Sequence, residues 1–144
     1  AAQAKPVFEA VIATNPGEDP QLISLRNSAL LGRGACLAAG GQFAEAVQAV
    51  ESVIDEAPET AELYAKAYNT LGYCHAKGNK TKDAVLAYLR VETLYSTQPQ
   101  EHAKALFHLI ALWRELGKDD YAKQCQDTLV SRYKNSSWAK KLAP

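Results

Sequence analysis

A chain of 144 residues, 47% apolar and 22% charged, with sixteen bases against sixteen acids, is long enough for one domain with a sizeable core. Its apolar content excludes a disordered chain, and its zero net charge gives no general affinity for nucleic acid. No apolar run approaches the ~18 residues of a membrane-spanning helix, and three cysteines without a Cys-x-x-Cys give no disulfide framework.

Apolar residues recur at spacings of three and four from end to end, and no window alternates with period two, so every element is predicted helical. The first is "KPVFEAVIATNP" at 5–16, broken at Asn15–Pro20. A second helix runs to Gly40–Gln42 and carries Gly34 and Cys36. "GGQFAEAV" at 40–47 opens a third, which ends at Ala57–Thr60. The fourth holds Gly72 and the pair Cys74–His75 and breaks at Lys77–Lys80. "GNKTKDAV" at 78–85 opens the fifth, with Thr81 as its expected cap, and Thr97–Gln100 ends it. The sixth stops at Gly117–Asp119, and "GKDDYAKQ" at 117–124 opens the seventh, which reaches Lys134–Ser137. "NSSWAKKLAP" closes the chain as a capping helix or the start of another unit. Seven or eight antiparallel helices are expected.

The breaks repeat. Gly41, Asn79 and Gly117 are 38 residues apart, as are Ala46, Ala84 and Ala122, and Gly34 precedes Gly72 by the same step. A fixed period in this range signals stacked helical hairpins, none of which buries its apolar face alone. Gly34 and Gly72 are expected at helix crossings, against Ala46 and Ala84.

These residues resemble the tetratricopeptide repeat family. Gly34, Gly41, Phe43, Ala46 and Pro58 carry the likeness in the first unit, and Tyr68, Leu71, Gly72, Ala84 and Tyr88 in the second. Leu106, Leu109, Gly117 and Ala122 carry it in the third, where Ile110 stands at a usually small position and Ala111 is expected to take that role. The resemblance implies a right-handed α-solenoid of about three full repeats plus flanking helices, one domain over 1–144. The chain has no methionine, even at position 1, and reads as a processed chain or a piece of a longer one. The 38-residue period and the ending "LVSRYKNSSWAKKL" are also similar to repeat proteins of the bacterial cell envelope, which implies that compartment.

Candidate chemistry gives way to packing. Cys36 and Cys74 share a repeat position, each two residues after a crossing glycine, which suits a small packing residue. His102 and His108 are six apart and fall on different sides of a helix; no zinc-helix spacing, nucleophile elbow or phosphate loop is present. No metal, cofactor or catalytic residue is expected. The basic, aromatic stretch at 104–134 is diluted by Asp119, Asp120 and Asp127, and Trp113 falls at a core position.

The surface remains. By the resemblance, the first helices of successive units line a concave groove: Ser28, Leu31, Ala35 and Ala38, then Lys66, Asn69, Tyr73 and Ala76, then Lys104, Phe107, Ala111 and Arg114. The main expected contacts to a protein or peptide partner are Asn69, Tyr73, Phe107 and Arg114, with Lys66 and Lys104 steering an acidic ligand. Leu31, Ala35 and Thr70 stand where some relatives hold a terminal carboxylate, so that clamp is not expected. The leading expectation is a non-enzymatic scaffold; the competing one is a structural spacer or accessory domain of a larger protein. Residues 1–60 carry three bases and eight acids, and residues 61–144 thirteen and eight, so weak head-to-tail self-association is also expected.

Overall fold

A computed structural model describes residues 3–142. Among them are eight helices and no strand: α1 (Ala4–Ala13), α2 (Pro20–Ala39), α3 (Phe43–Glu56), α4 (Ala61–Lys77), α5 (Thr81–Leu94), α6 (Pro99–Glu115), α7 (Asp119–Arg132) and α8 (Ser137–Lys140). Three hairpins, α2–α3, α4–α5 and α6–α7, stack in sequence, with α1 packed on α2 and α8 on α6 and α7. The register is strict. The second helices begin at Phe43, Thr81 and Asp119 and end at Glu56, Leu94 and Arg132, each 38 residues apart, and α8 begins 38 residues after α6.

The turns inside the hairpins explain that register. Gly41 (φ 84°), Asn79 (φ 58°) and Gly117 (φ 68°) adopt left-handed backbone. The next residue's N–H then reaches back to a carbonyl five residues earlier: Gln42 to Leu37 at 2.9 Å, Lys80 to His75 at 2.9 Å, and Lys118 to Trp113 at 2.8 Å. The preceding N–H bonds three residues back in each turn. This is the Schellman closure of a helix, built three times, and it needs a residue that tolerates positive φ. Gly117→Ala is therefore expected to cost about 1–2 kcal/mol, whereas Asn79→Gly is expected to be neutral or slightly stabilising, as read by chemical denaturation.

Side-chain caps close α2, α4 and α8 but not α6. Asp19 Oδ1 accepts from the N–H of Gln21 (2.9 Å) and Leu22 (3.4 Å), Thr60 Oγ1 from Leu63 (3.2 Å), and Ser136 Oγ from Ala139 (3.1 Å). The second helix of each hairpin has no side-chain cap. Thr81 is not the cap expected of it: it is already the first residue of α5, and its hydroxyl meets Glu115 of the next repeat at 3.2 Å.

The glycine crossings exist, but with other partners. A Cβ on Gly72 would lie 2.6–2.8 Å from the ring of Tyr88, one turn beyond Ala84. On Gly34 it would lie 2.7 Å from Val50 Cγ2, with the Ala46 carbonyl at 3.4 Å. Val50 and Tyr88 share a repeat position, so the device is the same in both units: a glycine makes room for a large side chain. In the third unit Ile110 stays buried and Ala111 is exposed, so Ala111 does not take over the crossing. The counterpart of Tyr88 there is Gln126, whose side chain turns to Arg114 at 3.1 Å.

Two apolar clusters form the core, one around Leu31, Val50, Leu71 and Cys74, the other around Tyr88, Leu106, Leu109 and Leu129; Tyr68 packs against both. At the base of the second and third hairpins an aromatic of the first helix meets the residue that ends the second: Tyr64 with Tyr95 (centroids 6.3 Å) and His102 with Tyr133 (5.4 Å). The His102 Nδ1–Tyr133 Oη distance is 2.6 Å.

Candidate interaction groove

The first helices of the hairpins, α2, α4 and α6, stand side by side and leave a depression of about 300 Å³ between them. Ser28, Gly32 and Ala35 of α2 line it, the side-chain space of Gly32 being filled by the Phe8 ring of α1. Lys66 and Thr70 of α4 and Glu101 and Lys104 of α6 supply its polar rim, and Leu31 its apolar side. Five expected groove residues thus meet here: Ser28, Leu31, Ala35, Lys66 and Lys104. Gly32 and Glu101 are new to the groove, and Thr70 was expected only as a departure from the carboxylate clamp. Helical spacing could have found two of them, since Thr70 lies four residues after Lys66 and Glu101 three before Lys104, on the same faces.

The ammonium of Lys66 pairs with Glu62 at 3.0 Å, an exposed contact one helical turn away. Thr70 turns its hydroxyl to the Lys66 carbonyl at 2.8 Å. The Glu101 carboxylate is held by Asn69, whose Nδ2 donates to Glu101 Oε2 (2.7 Å) and to the Glu101 carbonyl (3.0 Å). Asn69 itself is fully buried. It is therefore not the surface contact expected of it: its amide is spent joining α4 to α6.

The other expected contacts disperse. Phe107 is partly covered, its ring 5.3 Å from that of Trp138. Arg114 leans across its hairpin to Gln126 of α7. Tyr73 is half-buried against the first core cluster, with Lys77 Nζ 5.7 Å from its ring centre. Ala38 is buried in the core, Ala76 is half-buried, and Ala111 is exposed.

The Cys74–His75 pair lies elsewhere, beside a cavity of about 640 Å³ between the start of α3 and the end of α4. Cys74 is fully buried, its Sγ 3.8 Å from the Gly34 carbonyl, and burial pushes its thiol up to about 11. A thiol so disfavoured as thiolate is a packing group at neutral pH. Burial likewise pushes Cys125 up to about 11 and lowers His75 and His102. Among the described residues no three His, Cys, Asp or Glu side chains come together to hold a metal ion, and no helix is long and apolar enough to cross a membrane.

A model of the tetratricopeptide repeat family matches residues 1–61, the span of α1 to α3. The remaining hairpins continue that segment at an unchanged 38-residue step, an all-helical stack consistent with a solenoid similar to that family's. Repeats of this family are in general scaffolds for protein–protein interaction. No curated protein and no solved structure matched the chain.

Proposed function

We propose that the chain is a non-enzymatic scaffold whose concave groove receives an extended acidic segment of a partner protein. The observation that carries this reading is the depression shared by α2, α4 and α6, lined by Lys66 and Lys104 and by the small side chains of Ser28 and Ala35. Two ammonium groups on adjacent helices suit carboxylates spaced along an extended chain. Glu101, fixed by Asn69, offers an acceptor between them for the ligand's backbone N–H. Tyr73 extends the surface toward the far end of α4, and Arg114 joins it by releasing Gln126.

The test is fluorescence anisotropy with a labelled, unstructured peptide of alternating glutamate and small residues. The wild type is expected to bind it more weakly as salt rises, because contacts at the rim are screened. Lys66→Glu/Lys104→Glu, with helicity checked first, is expected to lose at least about tenfold in affinity, or ~1.4 kcal/mol. Equal binding by both proteins would place the interaction surface outside this groove.

A further inference from the structure

Another cavity, of about 370 Å³, opens between α2 and α3 and shares no residue with the groove. Arg26, Leu30 and Ala57 line it, and their equivalents 38 residues on are Tyr64, Tyr68 and Tyr95. Those three rings pack on one another in the second unit. Tyr95 is buried, stacks on Tyr68 (6.1 Å, 19°) and meets Tyr64 edge-on (6.3 Å, 71°). In the third unit Tyr133 takes the same position against His102 (5.4 Å). The first unit has alanine where the other two have tyrosine. Pro58 follows it and holds Ala57 extended (φ −80°, ψ 149°), whereas Tyr95 and Tyr133 close their helices at φ −123°, ψ 26° and φ −127°, ψ 34°. The preceding helix end reaches the spot in both units: Arg26 Nε donates to the Ile12 carbonyl (3.3 Å), as Tyr64 Oη does to that of Ile54 (2.6 Å). The cavity is thus the vacated place of a phenol ring, walled by α2, α3 and the linker before α2.

Its walls have the make-up of a ligand pocket, apolar side chains with a few polar groups among them. Ile23, Leu30 and Val53 give the apolar surface, and Arg26 and Asn27 stand half-buried beside them. The two arginines differ. Arg33, which also lines the cavity, is paired with Glu9 at 3.1 Å. Arg26 forms no ion pair among the described residues, and its Nε is taken by the Ile12 carbonyl. The terminal nitrogens of that guanidinium are a fork for one carboxylate. Ser52 and Glu56 are exposed and form the rim, so an anion that meets Arg26 has to enter together with the ring. An aromatic side chain of a partner protein would lead with a neutral end. A phosphorylated one would bring close to two charges to a single unanswered cation, past Glu56 at the mouth. We propose that this slot binds a small aromatic carboxylate, its ring placed where Tyr95 lies in the second unit and its carboxylate on Arg26.

The test is an NMR titration of the wild type with para-hydroxyphenylacetate. Saturable shifts are expected at the backbone amides of Arg26, Val53 and Ala57. The neutral para-hydroxyphenylacetamide is expected to bind at least about tenfold more weakly, having lost a charge-assisted contact, and acetate is expected not to bind. Arg26→Gln, with helicity checked first, is expected to bring the acid down to the level of the amide. Ala57→Tyr/Pro58→Ser restores the pair found at Tyr95–Ser96 and is expected to close the slot to both. No saturable shift in the wild type, or the same shifts from acetate, overturns the proposal. Equal binding of acid and amide overturns the role of Arg26. Tighter binding of N-acetyltyrosinamide or of a phosphotyrosine peptide gives the slot to a partner protein instead. Undiminished binding by folded Ala57→Tyr/Pro58→Ser places the acid elsewhere. The ligand series uses the wild type alone and decides without either variant. None of these results bears on the groove, which shares no residue with the slot.

Discussion

Gly72→Leu is expected to lower stability by roughly 1–3 kcal/mol or more, and the melting temperature by several degrees. The whole of an added side chain must pass through space already held by the Tyr88 ring, where even a Cβ would stand 2.6 Å away. Tyr88 cannot swing aside easily, being 1% exposed and packed in the second core cluster. The strain is pairwise, so it should appear as coupling. Gly72→Ala and Tyr88→Val each cost stability alone, but combined they should cost less than their sum, because valine vacates the ring's volume as Val50 does opposite Gly34. Gly40→Ala is the control: a Cβ there meets only carbonyl oxygens at 3.5 Å, and its φ of −86° is open to any residue. A melting temperature raised by Gly72→Leu would refute the crossing.

Much of this architecture was legible because a turn's demands are local. Positive φ selects glycine or asparagine, so Gly41, Asn79 and Gly117 marked the period before any contact was known. The crossing partners were less legible. Pairing small residue with small residue pointed Gly72 at Ala84, but which turn of the neighbouring helix faces a glycine depends on where the axes cross. The missing cap at Thr81 has a similar origin. The turn closes one residue earlier, with Lys80 at the cap position, and the hydroxyl is free to bridge to Glu115 of the next repeat.

The groove divides along the same line. Positions such as Lys66 and Lys104 follow from one helix's periodicity, and they do meet in a shared depression. Asn69 and Phe107 occupy the same repeat position, and both are taken up by the following unit: Asn69 by Glu101, Phe107 by Trp138. Periodicity assigns a residue to a face of its own helix. It does not show how closely the next unit's helix covers that face. A polar residue on a helical stripe reads as solvent-facing until a partner 32 residues away is seen to accept its hydrogen bonds.

Asn69→Asp is expected to be the most damaging single substitution at the groove, costing about 3–5 kcal/mol at pH 7 as a buried, unpaired charge. The change replaces the Nδ2 donor by an acceptor facing Glu101 Oε2 and the Glu101 carbonyl, at positions now 2.7 and 3.0 Å from that nitrogen. The site is wholly buried and holds no cation for the new carboxylate: the other oxygen, Oδ1, is already without a partner. Burial and the Glu101 carboxylate both raise the folded-state pKa of the introduced acid. Below the unfolded value of about 3.9 it is protonated in both states and can still donate to Glu101, so the deficit is small there. As pH rises above that value the unfolded state ionises first, and the deficit grows until the folded-state pKa is passed. Asn69→Leu separates packing from charge. Leucine stands at the equivalent position of the first unit, as Leu31, and it removes the Nδ2 donor together with the unpartnered Oδ1, while the Glu101 acceptors left behind keep some access to water. Its cost is expected to stay near ~1 kcal/mol. Urea denaturation of both variants from pH 4 to 7 checks the pair. A neutral Asn69→Asp, or deficits that do not diverge with pH, would return Asn69 to the open face of the groove.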